Sequence, residues 1–324
     1  MRSMLSDSTS PSESFSDLRK KYHERICSQI VWIKPEGYPN FADSSSKSSR
    51  DIASGVLKEM GCSRFRQAHL SDQQTGKLFE ELTRDFIYEA FRLLNHLRPG
   101  KWIHSAEAIS KFDQYEHLSE VERMVRENQE LASIFGIDYI IKPDIIIARV
   151  PVSDDEINKE GTLLDLNHNV VRYSPLRSKE GSKPILHASI SCKWTIRSDR
   201  SQNIRTEAMN LIRNRKGHTP HIVAVTAEPL PTRIASLALG TGDLDCVYHM
   251  ALHELEIAVE NNQDQPRPAR DAPHSDQWQT TARHQRSAVR SGGVAGHLPR
   301  SAPSKAFNRP LPIRSSLRDT PPSL

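Results

Sequence analysis

From Pro184 to Ala227 the chain reads as strand, helix and strand in immediate succession, an order that confines it to folds whose sheet carries helices on its faces. Along Pro184 to Ile196 the side chains alternate. His187, Ser189, Ser191 and Lys193 are predicted on one face, and Leu186, Ala188, Ile190 and Cys192 on the other. Ser201 to Asn214 places Ile204, Ala208, Leu211 and Ile212 at helical spacing, and His221 to Ala227 is again rich in strand formers. Lys193 thus closes a strand on its polar face, and Arg197-Ser198-Asp199-Arg200 stands at the mouth of the helix that follows.

The flanking segments extend this pattern. Helices are predicted over Leu18 to Ile33, Asp51 to Met60, Thr75 to Leu97 and Ser119 to Phe135. The first is broken by Pro35-Glu36-Gly37-Tyr38-Pro39 and the third is closed by Arg98-Pro99-Gly100, while the Ser-rich stretch Asp43 to Lys47 reads as a loop. Tyr139-Ile140-Ile141 and Ile145-Ile146-Ile147 flank Lys142-Pro143-Asp144 as a buried strand run. A polar excursion from Ser153 to Lys183 follows, and Asp245 to Met250 with the helix His253 to Glu260 completes the body. The expected fold class is α/β (α+β), with one mixed sheet and flanking helices over residues 18–262.

Composition marks out the ends. Hydrophobic residues make up 36% of the chain, low for a compact protein of 324 residues, so part of it is expected to lie outside the core. From Gln263 to Leu324 there are nine Pro, nine Arg and one Lys against four Asp, a composition that does not offset the entropy of ordering. Residues 263–324 are expected to be a disordered tail, and residues 1–17 a disordered polar leader. The tail carries +6, which leaves 34 basic and 36 acidic residues, or −2, in the rest. Any affinity for nucleic acid must then come from local arginine and lysine clusters. Cys27, Cys62, Cys192 and Cys246 form no Cys-x-x-Cys pair, which argues against a zinc site or a disulfide framework and fits a reducing cytoplasm. No apolar run reaches membrane-spanning length, and the Ser-rich start lacks the apolar core of a signal peptide.

Four residues suggest chemistry. Asp144 sits inside a run of isoleucines, where a carboxylate must be paired, bound to a cation, or satisfied by backbone donors at a strand bend. Lys193 at a strand end can stabilise charge growing on a phosphate, or merely snorkel to solvent. Glu207 lies three residues after Ile204 and four before Leu211, so it faces the sheet; it serves a site there or a buried salt bridge to Arg205, Arg213 or Lys193. Glu80 borders the apolar face of its helix in line with Ile87 and Phe91, whereas Glu81 is expected in solvent. Three carboxylates and a lysine are what a Mg²⁺ phosphodiesterase requires. Around Asp199, two arginines match guanine O6 and N7 and the carboxylate matches cytosine N4, although a capping aspartate with surface arginines has the same sequence.

Pro143-Asp144, Ser191-Cys192-Lys193 and Glu207 together resemble the variant PD-(D/E)xK site of restriction endonucleases that cut around CCGG. Ser191 stands where the usual site has an acidic residue, and Glu207 can supply the missing carboxylate. The resemblance runs from Asp43 to Glu260 and includes Arg213-Asn214-Arg215-Lys216-Gly217 and Ala238-Leu239-Gly240-Thr241-Gly242. It implies a restriction-endonuclease-like fold and a type II deoxyribonuclease that cleaves double-stranded DNA at a palindrome such as GCCGGC, leaving four-base 5′ overhangs. It also implies Mg²⁺ held by Asp144 and the Cys192 backbone carbonyl, with Glu80 and Glu207 acting through water. Arg197, Asp199 and Arg200 then read CCGG, Arg233 and Asp43 the outer pair, and Gln73 the minor groove. The last three could equally be ordinary surface residues. The implied assembly is a homotetramer of two back-to-back dimers, with a cognate methyltransferase as genetic partner in a bacterial cytoplasm. Two other functions stay open: a DNA-binding protein without catalysis, and a repair nuclease that cuts by structure. The abrupt change near Asn262, where the family continues with apolar sequence, suggests a frameshift.

Overall fold

The computed structural model describes residues 14–127, 141–164, 171, 173–239 and 242–263. Its centre is a mixed sheet of β1 (Trp102–Ser105), β2 (Ile145–Arg149), β3 (Ile185–Lys193), β4 (His221–Thr226) and β5 (Cys246–His249), in that spatial order. β1, β2 and β3 pair antiparallel, and β3, β4 and β5 run parallel. The helices are α1 (Phe15–Gln29), α2 (Lys47–Glu59), α3 (Asp72–Leu93), α4 (Leu118–Glu127), the short α5 (Asp154–Ile157), α6 (Ser198–Asn214), α7 (Pro231–Ala238) and α8 (Leu252–Gln263). The predicted fold class stands.

Serines set four of the helix starts, Ser153 capping the short α5. Ser14 caps α1 in a reciprocal box with Asp17, Ser71 caps α3 likewise with Gln74, and the Ser46 side chain caps α2. The leader predicted over residues 1–17 is therefore too long, because Phe15 to Asp17 already lie in the first helix, which Ser14 caps. Residues 1–13 and 264–324, which hold most of the leader and the tail, lie outside the described residues, as do residues 128–135 of the predicted fourth helix and Tyr139 and Ile140.

The sheet is buried on both faces. One core joins Ile145 and Ile147 of β2 and Ala188, Ile190 and Cys192 of β3 to the helical layer of α1, α2, α3 and α8. The other packs Ile146, Ala148 and Leu186 against Ala208 and Leu211 of α6. The strict alternation expected along β3 fails at its start. Ile147 pairs with Ala188 but Ala148 with Leu186, so His187 is an extra residue, and this bulge turns Leu186 to the face opposite Ala188. From Ala188 onward the alternation holds.

Three further elements were not expected: β1, an edge strand half-exposed along its whole length, the short α5 inside the polar excursion, and α7, which Pro231 opens. Cys27 and Cys62, with Cα atoms 5.8 Å apart, form a disulfide between the end of α1 and the loop after α2, correcting the expectation of unpaired thiols. Their 35-residue separation carries no local signature of pairing. Close packing of α2 on α8 depends on Gly55, where an added Cβ would sit 2.9 Å from that of Ala258.

Candidate active site

Pro143 ends the approach to the sheet, so Asp144 falls in a bend directly before β2 and beside the C-terminal end of β3. There its Oδ2 accepts two hydrogen bonds, from the Lys193 ammonium at 2.7 Å and from the Cys192 backbone N–H at 2.7 Å. The sequence left backbone donors and a cationic partner as alternatives for this carboxylate. It has both.

On the α6 side of the sheet, Ser191 Oγ donates to Glu207 Oε2 at 2.7 Å. Glu207 is thus turned to the sheet as its helical spacing required, and its partner is the hydroxyl rather than Arg205 or Arg213. Burial pushes its carboxyl pKa upward, against the opposing effect of the Ser191 bond, and the nearby Asp144 charge adds to the rise. On the other flank, burial and then the Asp144 charge push Glu80 up to about 7. For Lys193, burial works to lower the pKa, but attraction to Asp144 with its hydrogen bond, then to Glu207 and Glu80, leaves it raised. One ammonium therefore stands among three carboxylates that repel one another.

Trp194 fixes the surroundings. Its ring meets Phe79 edge-on at 5.2 Å and Phe41 at 5.6 Å, which holds the chain leaving β3 against α3 and against the loop before α2. Phe79 is followed by Glu80, and Phe41 lies two residues before Asp43. Apolar packing thus brings Glu80 and Asp43 into the same cleft as Lys193. That cleft measures about 980 Å³ and is lined by Glu80, Asp144, Cys192 and Lys193 and by Asp43, Gln73, Arg197 and Arg233. Glu207 is not among its lining residues and stands behind Ser191. Glu81, expected in solvent, is half-buried and lines the cleft with Glu80, because the cleft spans more of the α3 surface than its apolar stripe.

Arg233 forms an ion pair with Asp43, and its other terminal nitrogen lies 3.6 Å from Glu228. Hydrogen bonds from Ser45, then the pair with Arg233, hold the Asp43 carboxyl down at about 2. Arg197 is exposed at the cap of α6. Asp199 and Arg200 occupy that helix's first turn, with side chains outside the described residues. The sequence reading missed the basic rim formed by Lys34, Lys77, Arg84 and Lys142. It also missed Glu228, whose side chain is 1% exposed. A glutamate closing the largely buried strand run Val223-Ala224-Val225-Thr226-Ala227 is a signal similar to the one that singled out Asp144.

The donor set suits a hard cation: carboxylates gathered beside a strand-end carbonyl, with more negative charge than Lys193 alone balances. Among the described residues no group of three or more His, Cys, Asp or Glu is placed to hold a metal ion by itself. Among the same residues no helix is long and apolar enough to cross a membrane.

Residues 22–267 match the family model described as NgoMIV restriction enzyme. The chain is 45% identical over 254 residues to the type II restriction enzyme NgoMIV of Neisseria gonorrhoeae, a match that covers 76% of this chain and 88% of that one. The crystal structure of the type IIF restriction endonuclease Bse634I with cognate DNA aligns over 75% of this chain and 91% of that chain, at 13% identity and a TM-score of 0.32. With a sequence match spanning the sheet, the Asp144–Lys193 pair and the cleft, the class is that of a restriction endonuclease. The chain belongs to the NgoMIV restriction enzyme family. The match extends past Asn262, so the change of composition there lies at its edge.

Proposed function

We propose that this protein is a type II deoxyribonuclease that hydrolyses double-stranded DNA at a CCGG-containing palindrome, GCCGGC, and leaves four-base 5′ overhangs. The reading is carried by one arrangement: Asp144 bonded to both Lys193 and the Cys192 N–H at the end of β3, with Glu207 bonded to Ser191 behind it. Mg²⁺ is the cofactor that the donors fit, held by Asp144 and the Cys192 backbone carbonyl, with Glu207 reaching it through water. The N–H and C=O of one strand residue leave on the same edge, so this carbonyl faces the side on which the N–H meets Asp144. When bound, the ion would supply Lewis-acid stabilisation of the phosphate and a more acidic water.

The chain's own groups do the remaining work. Lys193, cationic throughout the neutral range, holds positive charge where negative charge grows on the scissile phosphate. Glu80, with its carboxyl pushed up to about 7, can take or release a proton near neutral pH. Ser191 fixes one oxygen of Glu207, which leaves the other free to orient water. Arg197, Asp199 and Arg200 at the start of α6 suit the inner CCGG, each good bidentate pair being worth about 1–3 kcal/mol of discrimination. Arg233 and Asp43 suit the outer pair, Gln73 the minor groove, and the basic rim the phosphates.

The assembly we propose is a homotetramer of two back-to-back dimers that engages two duplexes, with a methyltransferase protecting the host's own sites. The compartment is the bacterial cytoplasm; the Cys27–Cys62 disulfide, a rare feature there, is the observation that speaks against it. Incubating the purified chain with a GCCGGC duplex, in Mg²⁺ and in EDTA, tests the activity. Cleavage in Mg²⁺ alone, lost when one base pair is changed, is expected. Equal cutting of the altered duplex, or of branched DNA, would contradict it, and tight binding without cleavage would select the non-catalytic reading.

A further inference from the structure

The parallel ladder between β3 and β4 ends where the Ala227 N–H bonds to the Trp194 carbonyl at 3.2 Å. Beyond that point the two chains part: one runs through Ile196 to Arg197 and α6, the other through Leu230 to α7 and Arg233. A single carboxylate spans the opening. Glu228 Oε2 accepts from the Ile196 N–H at 2.9 Å, and Oε1 accepts from the Leu230 N–H at 3.2 Å while facing Arg233 at 3.6 Å. The Glu228 N–H is itself donated to Thr226 Oγ1 at 3.1 Å, which fixes the root of the side chain. Burial drives the Glu228 carboxyl pKa up, against the Ile196 N–H and the Arg233 charge. A buried acid is expensive to keep and leaves a buried N–H orphaned if removed, so its place must be held by what it connects.

We infer that Glu228 is a specificity-determining positioning residue, setting the distance between the turn that reads CCGG and the arginine that reads the outer base pair. The inference rests on the proposed reading roles of Arg197, Asp199 and Arg200 and of Arg233 with Asp43. Glu228 lies away from Lys193 and does not touch the reacting phosphate. Its loss frees the post-β3 turn from α7 and leaves the Arg233 guanidinium with Asp43 as its one carboxylate partner of the two. Both readouts then loosen together, while the groups around Lys193 keep their bonds.

The test compares wild type, Glu228→Gln and Arg233→Ala on a GCCGGC duplex and on duplexes altered at one inner or one outer pair. Thermal unfolding is measured in parallel. For Glu228→Gln the expected result is a kcat on the cognate duplex within about threefold of wild type and a KM raised about tenfold. Its preference over both altered duplexes falls about tenfold, a loss of about 1.4 kcal/mol of discrimination. A lowered melting temperature with unchanged preference would mean a purely structural carboxylate and overturns the inference. If Arg233→Ala loses the outer-pair preference and Glu228→Gln keeps it, the reading roles stand and the inference fails. If neither variant changes preference, the reading roles fail and the inference with them. Should Glu228→Gln not fold, Thr226→Val, which removes the hydroxyl that accepts the Glu228 N–H, is measured in its place. A severalfold loss of preference supports the inference, and an unchanged preference in that folded variant overturns it.

Discussion

Replacing Glu80 by glutamine should make the protein more stable and less active. In the folded chain this carboxyl rises from its ordinary value of 4.5 to about 7, chiefly because it is half-buried and then because it faces Asp144. At about 1.4 kcal/mol per pH unit the rise corresponds to about 3 kcal/mol against the ionised form. Partial exposure and solvent screening reduce this to ~1–2 kcal/mol. A folded-state pKa above the unfolded value means that protonation favours folding. The Glu80 contribution is therefore fully present below pH 4.5 and is lost as pH rises through about 7. Glutamine keeps the shape without the charge. In EDTA at pH 8, Glu80→Gln should melt about 2–8 °C above wild type, by the usual relation for a domain of this size. At pH 4.5 the gain should shrink towards zero. Mg²⁺ should abolish much of the difference by stabilising wild type, and the variant should cleave DNA at least tenfold more slowly. A variant that melts below wild type at pH 8, or gains equally at both pH values, would refute the electrostatic reasoning.

Lys193→Ala leaves Asp144 without its cation and should lower cleavage by about 10²–10³-fold, a loss of the size seen when a charge-stabilising donor is removed; gel-shift binding of a GCCGGC duplex in Ca²⁺ should persist. Ser191→Ala removes the hydroxyl that holds the Glu207 pKa down, so the acid limb of the pH–rate profile should move to higher pH, with an unmoved limb as the contrary result. Gly55→Val should destabilise the fold by about 1–3 kcal/mol in urea titration, because even a Cβ there meets Ala258 at 2.9 Å.

Much of the site could be read from the chain because strands and helices translate spacing into direction. Ile204, Ala208 and Leu211 fix the buried side of α6, and Glu207 then had to face the sheet, where Ser191 receives it. Asp144 and Lys193 were legible as polar residues closing apolar runs, and Glu80 through the stripe of α3. Where burial is not one-sided the pattern is weak. β1 is four residues at a sheet edge with intermediate burial throughout, so it shows no alternation. The bulge that puts Leu186 and Ala188 on opposite faces has no signature in residue type. The Cys27–Cys62 bond, the Trp194 contacts and the Glu228 bridge join segments far apart in sequence. Only the folded chain brings them together.

Sequencing the ends of fragments made from one plasmid, by wild type and by Lys193→Ala in Mg²⁺, tests the account most directly. Wild type should give ends that all fall within GCCGGC with four-base 5′ extensions, and Lys193→Ala should leave the plasmid intact. Ends scattered over unrelated sequence, or the same fragments from Lys193→Ala, would contradict it.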